Sequence, residues 1–412
     1  MNSNKAQNVY KIIMLIIITA LISSLVTVIV LNDKFTQFGD VKEIADGDGV
    51  SGIEATLARI RTMLEDQYLG ELDDEQMIEM AIKGYVAGVG DEYTEYYTPE
   101  EMSAEYDTAV GNYVGIGIYM VVNYKDGTIT VIEPMEGSPA EAAGIKEGDI
   151  ITKVEGVEIT KDNVNDMSNK IKGEEGTKVK LGIKSGNEER EVEVERKRIE
   201  VSHIETKMLK NNIGYIQISD FDGGAAKEFK EKYEALKSDG ATSLIIDIRN
   251  NGGGVVDEAI DILEMICDKG SVLLIEKDKK GNEDITKSKE NPIIDMPIVV
   301  LTNEYSASAS EIFAGALKDY NKATIVGTKT YGKGVIQSLI RLSDGSGIKI
   351  TTEEYCTPNR NQINKVGIEP DIKVELPEDI EELTEENDIQ LQRAIDELVW
   401  KINFHTILKN KI

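Results

Sequence analysis

Residues 301–338 read LTNEYSASASEIFAGALKDYNKATIVGTKTYGKGVIQS, and they carry the strongest chemical signal in the chain. The apolar run before and into this stretch, residues 298–301, predicts a buried strand, while the small residues at 306–310 predict a tight turn and residues 311–319 predict a helix. A serine therefore lies where a strand turns into a helix. At such a junction the hydroxyl is exposed, and the free N–H groups of the helix N-terminus face any negative charge that develops beside it.

This serine requires a base, because a hydroxyl is a weak nucleophile until a neighbouring group takes its proton. Histidine is the usual base, but the chain has only His203 and His405, and neither lies in a motif. Lys333 is better placed, because Gly332 and Gly334 on either side allow a tight backbone turn. A solvated lysine has a pKa of about 10.4, and burial in an apolar pocket can lower it to roughly 7 or 8, where the neutral amine acts as a base.

The two segments together resemble those of the carboxy-terminal processing peptidases, also called tail-specific proteases, which are Ser-Lys endopeptidases. The matching residues are SASASE at 306–311 and TYGKG at 330–334, followed by a glutamine. The resemblance implies that Ser308 is the nucleophile, that Lys333 is the general base and that Gln337 holds the lysine. Each segment alone is ordinary helix-start or turn material, but both together at this spacing favour a catalytic pair.

A glycine-rich segment, NNGGG at residues 250–254, lies between a predicted buried strand and a predicted helix, and it exposes backbone N–H groups there. By family resemblance, Gly253 or Gly254, with the N–H of Ala309, supplies the oxyanion hole, and such a donor typically contributes about 3 kcal/mol to transition-state stability. A phosphate-binding loop is the alternative, but the Lys-Ser/Thr that a P-loop requires does not follow. The resemblance also places Asp319 where some family members have an acidic residue needed for activity.

Two further glycine-containing segments, YVGIGI at residues 113–118 and GSPAEAAGIKEGDII at 137–151, together resemble a PDZ domain that spans 111–197. The resemblance implies that a peptide adds a strand beside residues 116–119, where successive backbone N–H groups capture its terminal carboxylate. The residues expected to contact the peptide are Val114, Gly115, Ile116, Gly117 and Ile118. Family members often have an arginine that signals ligand binding to the protease core, and Lys172 occupies that position here without the planar guanidinium fork.

Composition excludes some partners and cofactors. The formal net charge of −29 over 412 residues argues against nucleic acid as a partner, because phosphates would be repelled. The two cysteines, Cys267 and Cys356, match no metal-ligand spacing. A disulfide between them can be neither inferred nor excluded, and two free thiols are favoured. The predicted chemistry requires no metal and no organic cofactor.

Residues 12–31 form an uncharged, almost wholly apolar run of twenty residues. Such a run is long enough to cross a hydrocarbon core of about 30 Å as a helix. Lys5 and Lys11 precede it and no small-x-small cleavage site follows, so a retained signal anchor is favoured over a cleaved signal peptide or a buried core helix. The sequence therefore predicts a single-pass membrane protein whose catalytic part lies on the extracytoplasmic side.

The predicted fold class is α/β, with strands and helices alternating in a mixed sheet that carries helices on its faces. Family resemblance implies a Clp protease/crotonase-like protease core. Apolar faces on the N-terminal helices and on the last helix predict packing against the core or against a second copy of the chain, which would make a homodimer. The predicted segments are an anchor at 1–31, a linker at 32–52, a helical segment at 53–110, the PDZ domain at 111–197, the protease core at 198–376, and an acidic linker with a helix at 377–412.

The whole sequence predicts a membrane-anchored serine endopeptidase that recognises protein substrates with apolar C-terminal tails through its PDZ domain. Regulated processing in a signalling pathway, with the PDZ domain as a gate, and clearance of damaged envelope proteins are alternatives within that class. A non-catalytic PDZ docking protein is a second class, and the intact Ser308, Lys333 and Gln337 argue against it. An acyl-CoA enzyme of crotonase type is a third.

Overall fold

The computed structural model describes residues 50–111, 113–123, 125–161, 163–199, 201–377 and 383–409. The predicted anchor at residues 12–31 and most of the predicted linker lie outside these ranges. Within them, no helix combines the length and the apolar character that crossing a membrane requires. The described chain divides into two compact units, one with the residues up to Tyr96 and Leu376–Gln392, the other with Tyr97–Glu375 and the residues from Arg393.

Two helices dominate the first unit, as the helical spacing of apolar residues predicts. The first elements of the chain are α1 Val50–Gln67, α2 Asp74–Ala87 and β1 Glu95–Tyr97. Asp73 begins α2, because its carboxylate accepts the N–H of Gln76 at 3.0 Å. The predicted linker was expected to extend to residue 52, but α1 already begins at Val50, so its last residues are helical. Large apolar side chains on both helices remain exposed, namely Ile53, Leu57, Met63, Ile78, Met80 and Tyr85.

The amino-terminal part of the second unit contains a small antiparallel sheet. Its elements are α3 Pro99–Ala109, β2 Tyr113–Gly115, β3 Ile118–Asn123, β4 Thr128–Pro134, α4 Pro139–Ala142, β5 Ile150–Val154, β6 Val157–Glu158, α5 Val164–Ile171, β7 Lys178–Ser185, β8 Glu188–Glu195 and β9 Lys197–Ile199. The strand order is β3-β4-β5-β7-β8, with β6 on β5 and a separate β2-β9 ribbon. Strand β3 therefore lies at a sheet edge, where a peptide could add a strand.

A second sheet organises the rest of this unit. Its strands are β10 Ile204–Leu209, β11 Ile213–Ile218, β12 Ser243–Asp247, β15 Ile298–Thr302, β16 Ala323–Gly327 and β19 Ile372–Lys373, in the order β10-β11-β12-β15-β16-β19. Strand β10 is antiparallel to β11, and the following pairs are parallel. The helices are α6 Ala225–Ser238, α7 Val256–Glu264, α8 Ala309–Asp319 and α9 Ile389–Lys409. Every residue of β12 and β15 is buried, as their unbroken apolar runs predict. The mixed sheet of the predicted fold class is thus present.

A third sheet supplies the long strands that border the candidate site. Four of its five strands are β13 Val272–Asp278, β14 Glu283–Lys287, β17 Val335–Arg341 and β18 Gly347–Cys356, paired in the order β17-β18-β13-β14. Strands β13, β14 and β17 were not predicted from the sequence. Helix α3 lies within the predicted helical segment 53–110, where Thr98 and Glu101 form a capping box and Pro99 begins the helix. Polar residues inside β17 and β18 interrupt the apolar alternation by which strands are recognised.

Candidate active site

The candidate site lies at the carboxyl edge of the parallel strands, where the loops after β12, β15 and β16 meet. Ligands of open α/β sheets commonly bind at this edge. The N–H of Ala307 donates to the Asn251 carbonyl oxygen at 3.0 Å, and the N–H of Tyr331 donates to the Ser306 carbonyl oxygen at 3.0 Å. These backbone bonds bring the serine segment together with the glycine-rich segment on one side and the lysine segment on the other.

Ser308 occupies the junction between the β15 loop and α8, as the sequence predicts. Its backbone has φ 55° and ψ −118°, a conformation that a non-glycine residue rarely adopts. Backbone groups of Ser308 hold the first turn of α8, because its carbonyl oxygen accepts the N–H of Glu311 at 2.8 Å and its own N–H donates to the Glu311 carboxylate at 3.0 Å. A serine in a strained turn between a strand and a helix N-terminus is the arrangement of a nucleophile elbow.

Glu311 connects the serine to the lysine segment, and the sequence analysis did not assign it a role. Its fully buried carboxylate accepts the N–H groups of Ser308 at 3.0 Å, Lys333 at 2.8 Å and Gly332 at 2.7 Å, and the Thr330 hydroxyl at 2.6 Å. Burial raises the pKa of this carboxyl group, and the four hydrogen bonds oppose that rise. The serine followed three residues later by glutamate is the sequence signal that could have indicated it.

Lys333 and Gln337 lie on either side of the start of β17. Close backbone packing requires Gly334, because a Cβ there would lie 2.1 Å from the Asn364 backbone nitrogen. Gln337 pairs with Thr351 in the β17-β18 register, and its Nε2 donates to the Thr351 hydroxyl at 3.1 Å. Lys333 and Ser308 thus both donate their backbone N–H groups to the Glu311 carboxylate. The side-chain amide of Gln337 instead contacts Thr351 on β18. The predicted hold of Gln337 on the lysine stays a prediction.

The two glycines considered for the oxyanion hole differ in what their N–H groups contact. The N–H of Gly253 donates to Asn251 Oδ1 at 2.8 Å. By contrast, the N–H groups of Gly254 and Ala309 donate to no backbone or side-chain acceptor in the described part of the chain. A Cβ on Gly253 would lie 2.8 Å from the Ser308 Cβ and 3.1 Å from the Ala309 nitrogen, so this glycine packs directly against Ser308. The geometry favours Gly254 and Ala309 as the pair of donors.

Asn251 is a second residue that the sequence analysis did not single out. Its side chain is fully buried, and its Nδ2 donates to the Ile218 carbonyl oxygen at 3.0 Å while Oδ1 accepts the Gly253 N–H. Its own carbonyl oxygen accepts the hydroxyl of Ser310 at 3.0 Å as well as the Ala307 N–H. Asn251 therefore ties the glycine-rich segment to the end of β11 and to the first turn of α8.

Asp319 is the last residue of α8, whereas Ser308 directly precedes its first residue. A helix rises 1.5 Å per residue, so the two residues are separated by about 15 Å along the helix axis. Its carboxylate accepts the Asn359 N–H at 2.7 Å and the Asn361 Nδ2–H at 3.2 Å. These contacts order the loop after β18. The structure thus does not bring Asp319 together with Ser308 and Lys333, and a role for it in activity would act through this loop.

The predicted peptide-contacting residues form the turn between β2 and the edge strand β3. Val114 and Gly115 belong to β2, and Ile118 begins β3. Ile116 turns its side chain into the core of the small sheet and is buried, whereas its carbonyl oxygen accepts the N–H of Ala140 at 2.8 Å. Gly117 has φ 75°, and a Cβ there would lie 2.4 Å from the Ser138 Cβ. Only glycine fits this turn, as the resemblance implies.

Lys172 is exposed at the carboxyl end of α5, and a buried arginine that the sequence analysis missed lies beside that end. Arg196 donates from Nη2 to the Lys170 carbonyl oxygen at 2.6 Å and from Nε to the Ile171 carbonyl oxygen at 3.2 Å. It also donates to the Thr177 hydroxyl at 2.9 Å. A guanidinium therefore satisfies the terminal carbonyl groups of α5.

The described residues contain no group of three His, Cys, Asp or Glu side chains arranged to hold a metal ion. Cys267 and Cys356 are free thiols, as favoured from the sequence. Burial raises the pKa of the Cys267 thiol to about 11, so it is protonated at neutral pH.

Comparison with known proteins identifies two family models and several relatives. The model of peptidase family S41 matches residues 212–374, and the PDZ domain model matches residues 130–185. A "Probable CtpA-like serine protease" of Staphylococcus aureus (strain COL) is 36% identical over 383 residues, which cover 91% of this chain and 75% of the relative. A protein of the same description from Staphylococcus haemolyticus is 37% identical over 317 residues, or 76% of this chain and 63% of the relative. Among solved structures, a photosystem II D1 C-terminal processing protease is 29% identical, with a TM-score of 0.47 and coverage of 77% of this chain and 87% of that one.

Proposed function

The chain belongs to peptidase family S41 as a CtpA-like serine peptidase with a PDZ domain, and we propose that Ser308 and Lys333 are its catalytic pair. The observation that carries the proposal is the shared carboxylate of Glu311, which accepts the N–H groups of both residues at 3.0 Å and 2.8 Å. Glu311 and Lys333 are 22 residues apart along the chain, so this carboxylate holds the start of α8 and the lysine loop together at the carboxyl edge of the sheet.

In the proposed reaction, the neutral amine of Lys333 takes the proton from the Ser308 hydroxyl as the serine oxygen attacks a peptide carbonyl carbon. The N–H groups of Gly254 and Ala309 stabilise the oxyanion that forms on the carbonyl oxygen. The lysine then gives its proton to the leaving amine, and the peptide C–N bond breaks. Water hydrolyses the acyl-enzyme by the same proton transfers, which restores the serine. Gln337 orients the lysine amine through its side-chain amide.

We propose that the PDZ domain selects substrates by their C-terminal tails. The support is geometric, because β3 is an edge strand with its backbone available to a peptide, and the turn before it offers closely spaced N–H groups. The edge strand β3 packs the partly buried side chains of Ile118, Met120 and Val122 against the apolar core of the domain. An apolar C-terminal residue is the ligand that matches such surroundings. Mapping the cleavage products in cells distinguishes the two roles, because regulated processing yields one defined product of a signalling protein and clearance yields fragments of many damaged proteins.

Residues 12–31 are proposed as a retained single-pass anchor that holds the peptidase on the extracytoplasmic side of a cell membrane. The support is their length and their lack of charge. Alkaline extraction of membranes should leave the full chain in the pellet, and external protease should digest the catalytic part in intact spheroplasts. Release of the chain by alkali, or protection of the catalytic part, would contradict the proposal.

The catalytic proposal is tested with the purified full chain and an unstructured protein that ends in apolar residues. Ser308→Ala and Lys333→Ala should each reduce cleavage by about 1000-fold or more, the scale typical for loss of a nucleophile or its base. Lys329→Ala is the matched control, because Lys329 is an exposed lysine on the same loop that pairs with Glu369 at 3.1 Å. Equal cleavage by wild type and Lys333→Ala would remove the lysine from the mechanism.

The same samples separate the two other function classes. A docking protein would bind peptides with apolar C-termini but would leave the unstructured protein intact, and Ser308→Ala would then behave like the wild type. A crotonase-type enzyme would hydrolyse an acyl thioester but not the peptide. Cleavage of the peptide alone, abolished by Ser308→Ala, is the result expected.

A further inference from the structure

The hydroxyl of Tyr355 lies against both residues of the proposed catalytic pair. Tyr355 is on β18, and its hydroxyl oxygen is 3.0 Å from the Ser308 carbonyl oxygen and 2.5 Å from the Lys333 carbonyl oxygen. Its backbone N–H donates to the Gly334 carbonyl oxygen at 3.0 Å, which ties the same loop to β18 a second time. The ring is only 3% exposed and belongs to the main hydrophobic core. The hydroxyl thus reaches the site from a rigid, buried ring.

We infer that Tyr355 is a positioning residue for the Ser308–Lys333 pair, because its hydroxyl holds the carbonyl groups of both residues and so orients the peptide plane that carries the Ala309 N–H. This inference rests on the proposed function. Glu311 holds the same two residues by their N–H groups, at 3.0 Å and 2.8 Å. Ser308 and Lys333 are therefore each held by two hydrogen bonds, one from the backbone N–H to the Glu311 carboxylate and one from the Tyr355 hydroxyl to the backbone carbonyl oxygen.

The consequence for the oxyanion hole follows from the planarity of the peptide bond. The Ser308 carbonyl group and the Ala309 N–H belong to one rigid plane, so a donor that fixes the carbonyl oxygen also fixes the direction of the N–H. A hydrogen bond to the carbonyl oxygen further polarises the peptide unit and strengthens its N–H as a donor. Tyr355 therefore acts on the oxyanion without touching the substrate.

The lysine loop is affected by the same hydroxyl. A phenol has a single proton, so the carbonyl oxygens of Ser308 and Lys333 share one donor. Both can contact the Tyr355 hydroxyl only while the serine turn and the lysine loop stay close together. The Ser308 carbonyl oxygen also accepts the N–H groups of Glu311 at 2.8 Å and Ile312 at 3.1 Å, so without the Tyr355 hydroxyl it stays bonded to α8 but loses its link to the lysine loop. The Lys333 carbonyl oxygen would lose the Tyr355 donor, and the distance between the two segments would be less tightly fixed. The expected damage is to the chemical step and not to substrate binding.

The test compares Tyr355→Phe with Tyr320→Phe in the purified full chain. Tyr320 is a suitable control, because its hydroxyl also donates to a backbone carbonyl oxygen, that of Val272, at 2.9 Å. Both changes remove one hydroxyl and keep the ring. Tyr355→Phe should lower kcat by about 10- to 30-fold with KM within about twofold of wild type, whereas Tyr320→Phe should leave both constants within about twofold.

Two further readouts separate positioning from a general loss of stability. The acid limb of the pH–rate profile should move to higher pH in Tyr355→Phe, because a loosened lysine loop lets water reach the amine and favours its charged form. Replacing Tyr355 by 4-aminophenylalanine restores an N–H donor at the same place on the ring, and it should recover most of the lost kcat. This replacement also serves as the test if Tyr355→Phe does not fold.

Several outcomes overturn the inference. A kcat for Tyr355→Phe within about twofold of Tyr320→Phe would do so, as would a loss of kcat that 4-aminophenylalanine does not reverse. In both cases an inactive Ser308→Ala variant keeps the catalytic proposal standing, so the two failures are distinguishable. If Ser308→Ala cleaves as well as wild type, the catalytic proposal and the inference fall together.

Discussion

At the residue scale, buried side chains that form hydrogen bonds with backbone groups of other residues stabilise the candidate site. Glu311 accepts four hydrogen bonds in a fully buried position, and Asn251 and Tyr355 bind the carbonyl and N–H groups of the neighbouring loops. A buried polar group is costly unless it is paired, so each of these side chains is tied to one loop arrangement. The strained backbone of Ser308 is maintained by these surroundings.

Replacing Glu311 by glutamine should disrupt this arrangement. The amide would face N–H donors with an NH₂ group of its own, so at least one of the four hydrogen bonds becomes a donor–donor contact. We expect Glu311→Gln to lower kcat by about 10- to 100-fold and to lower the Tm by several degrees. Glu304→Gln is the control, because Glu304 is exposed and its carboxylate accepts the Thr328 hydroxyl at 3.0 Å, away from the catalytic pair. Unchanged kcat in Glu311→Gln would show that the shared carboxylate does not organise the pair.

Adding a methyl group at Gly253 tests how closely the glycine-rich segment packs against Ser308. Gly253 has φ 111°, and a Cβ there would lie 2.8 Å from the Ser308 Cβ and 2.9 Å from the Ala307 carbonyl oxygen. Gly253→Ala should therefore shift Ser308 and lower kcat/KM by about 100-fold or more. A Cβ on Gly252 would meet nothing within 4 Å, so Gly252→Ala should retain wild-type activity. Peptide hydrolysis by both variants decides the matter, and equal rates would contradict the packing argument.

At the element scale, two sheets meet at the site. The parallel strands β12, β15 and β16 deliver the glycine-rich, serine and lysine segments to one edge, whereas β18 adds the Tyr355 hydroxyl from the side. The antiparallel pair β10-β11 leads into this sheet and carries a charged cluster at its end. There His203 Nδ1 lies 2.6 Å from Asp220 Oδ1, the Glu228 carboxylate accepts the His203 backbone N–H at 2.8 Å, and the charges of Asp222 and Glu228 also act on the imidazole.

This cluster should make the stability of the β10-β11 pair depend on pH. Desolvation lowers the pKa of His203, but Asp220, Asp222 and Glu228 raise it more, so the net shift is upward from 6.5. Because the folded state holds the proton more tightly, the extra stability is complete below pH 6.5 and is lost as the pH rises through the folded-state pKa. The unfolding free energy of wild type relative to His203→Gln should fall by roughly 1 kcal/mol or less across that range. Urea titrations of wild type and His203→Gln at pH 6 and pH 8.5 measure this difference in unfolding free energy. A difference that is the same at both pH values would contradict the account.

At the scale of the whole molecule, the described residues of the first unit leave large apolar side chains exposed. Ile78 and Tyr85 on α2 are 61% and 73% exposed, and their spacing of seven residues places them on one face of the helix. Proteins rarely leave such a face of large apolar side chains in water without a partner. We propose a second copy of the chain as that partner, as the apolar helix faces predict from the sequence.

Sedimentation equilibrium of the full chain tests the proposed homodimer. Ile78→Glu should weaken the dimer by about 10-fold or more in Kd, because it places a charge in an apolar contact. Gln76→Glu adds the same charge to the same helix at an exposed polar position, and it should leave Kd unchanged. A wild-type chain that is monomeric at all accessible concentrations, or equal effects of the two changes, would exclude α2 as the interface.

Local sequence determined the parts of this protein whose signals are contained within a few residues. The apolar runs of β12 and β15 predicted buried strands, the helical spacing predicted α1, α2 and α6 to α8, and the serine, lysine and glycine segments indicated a peptidase of the family to which the chain belongs. These signals are readable because burial and backbone turns impose their residue types locally. The half-polar strand β17 carries no such signal, and so it was not predicted.

Only the tertiary structure decided which side chains hold these segments together. Tyr355 lies 47 residues from Ser308 in the chain, and its place in the sequence indicates nothing about the carbonyl groups that its hydroxyl reaches. The choice of Gly254 over Gly253 as an oxyanion donor likewise depends on Asn251, whose amide oxygen occupies the Gly253 N–H. Hydrogen bonds between distant loops depend on how the sheets pack, and packing is a property of the whole fold that no short stretch of sequence records.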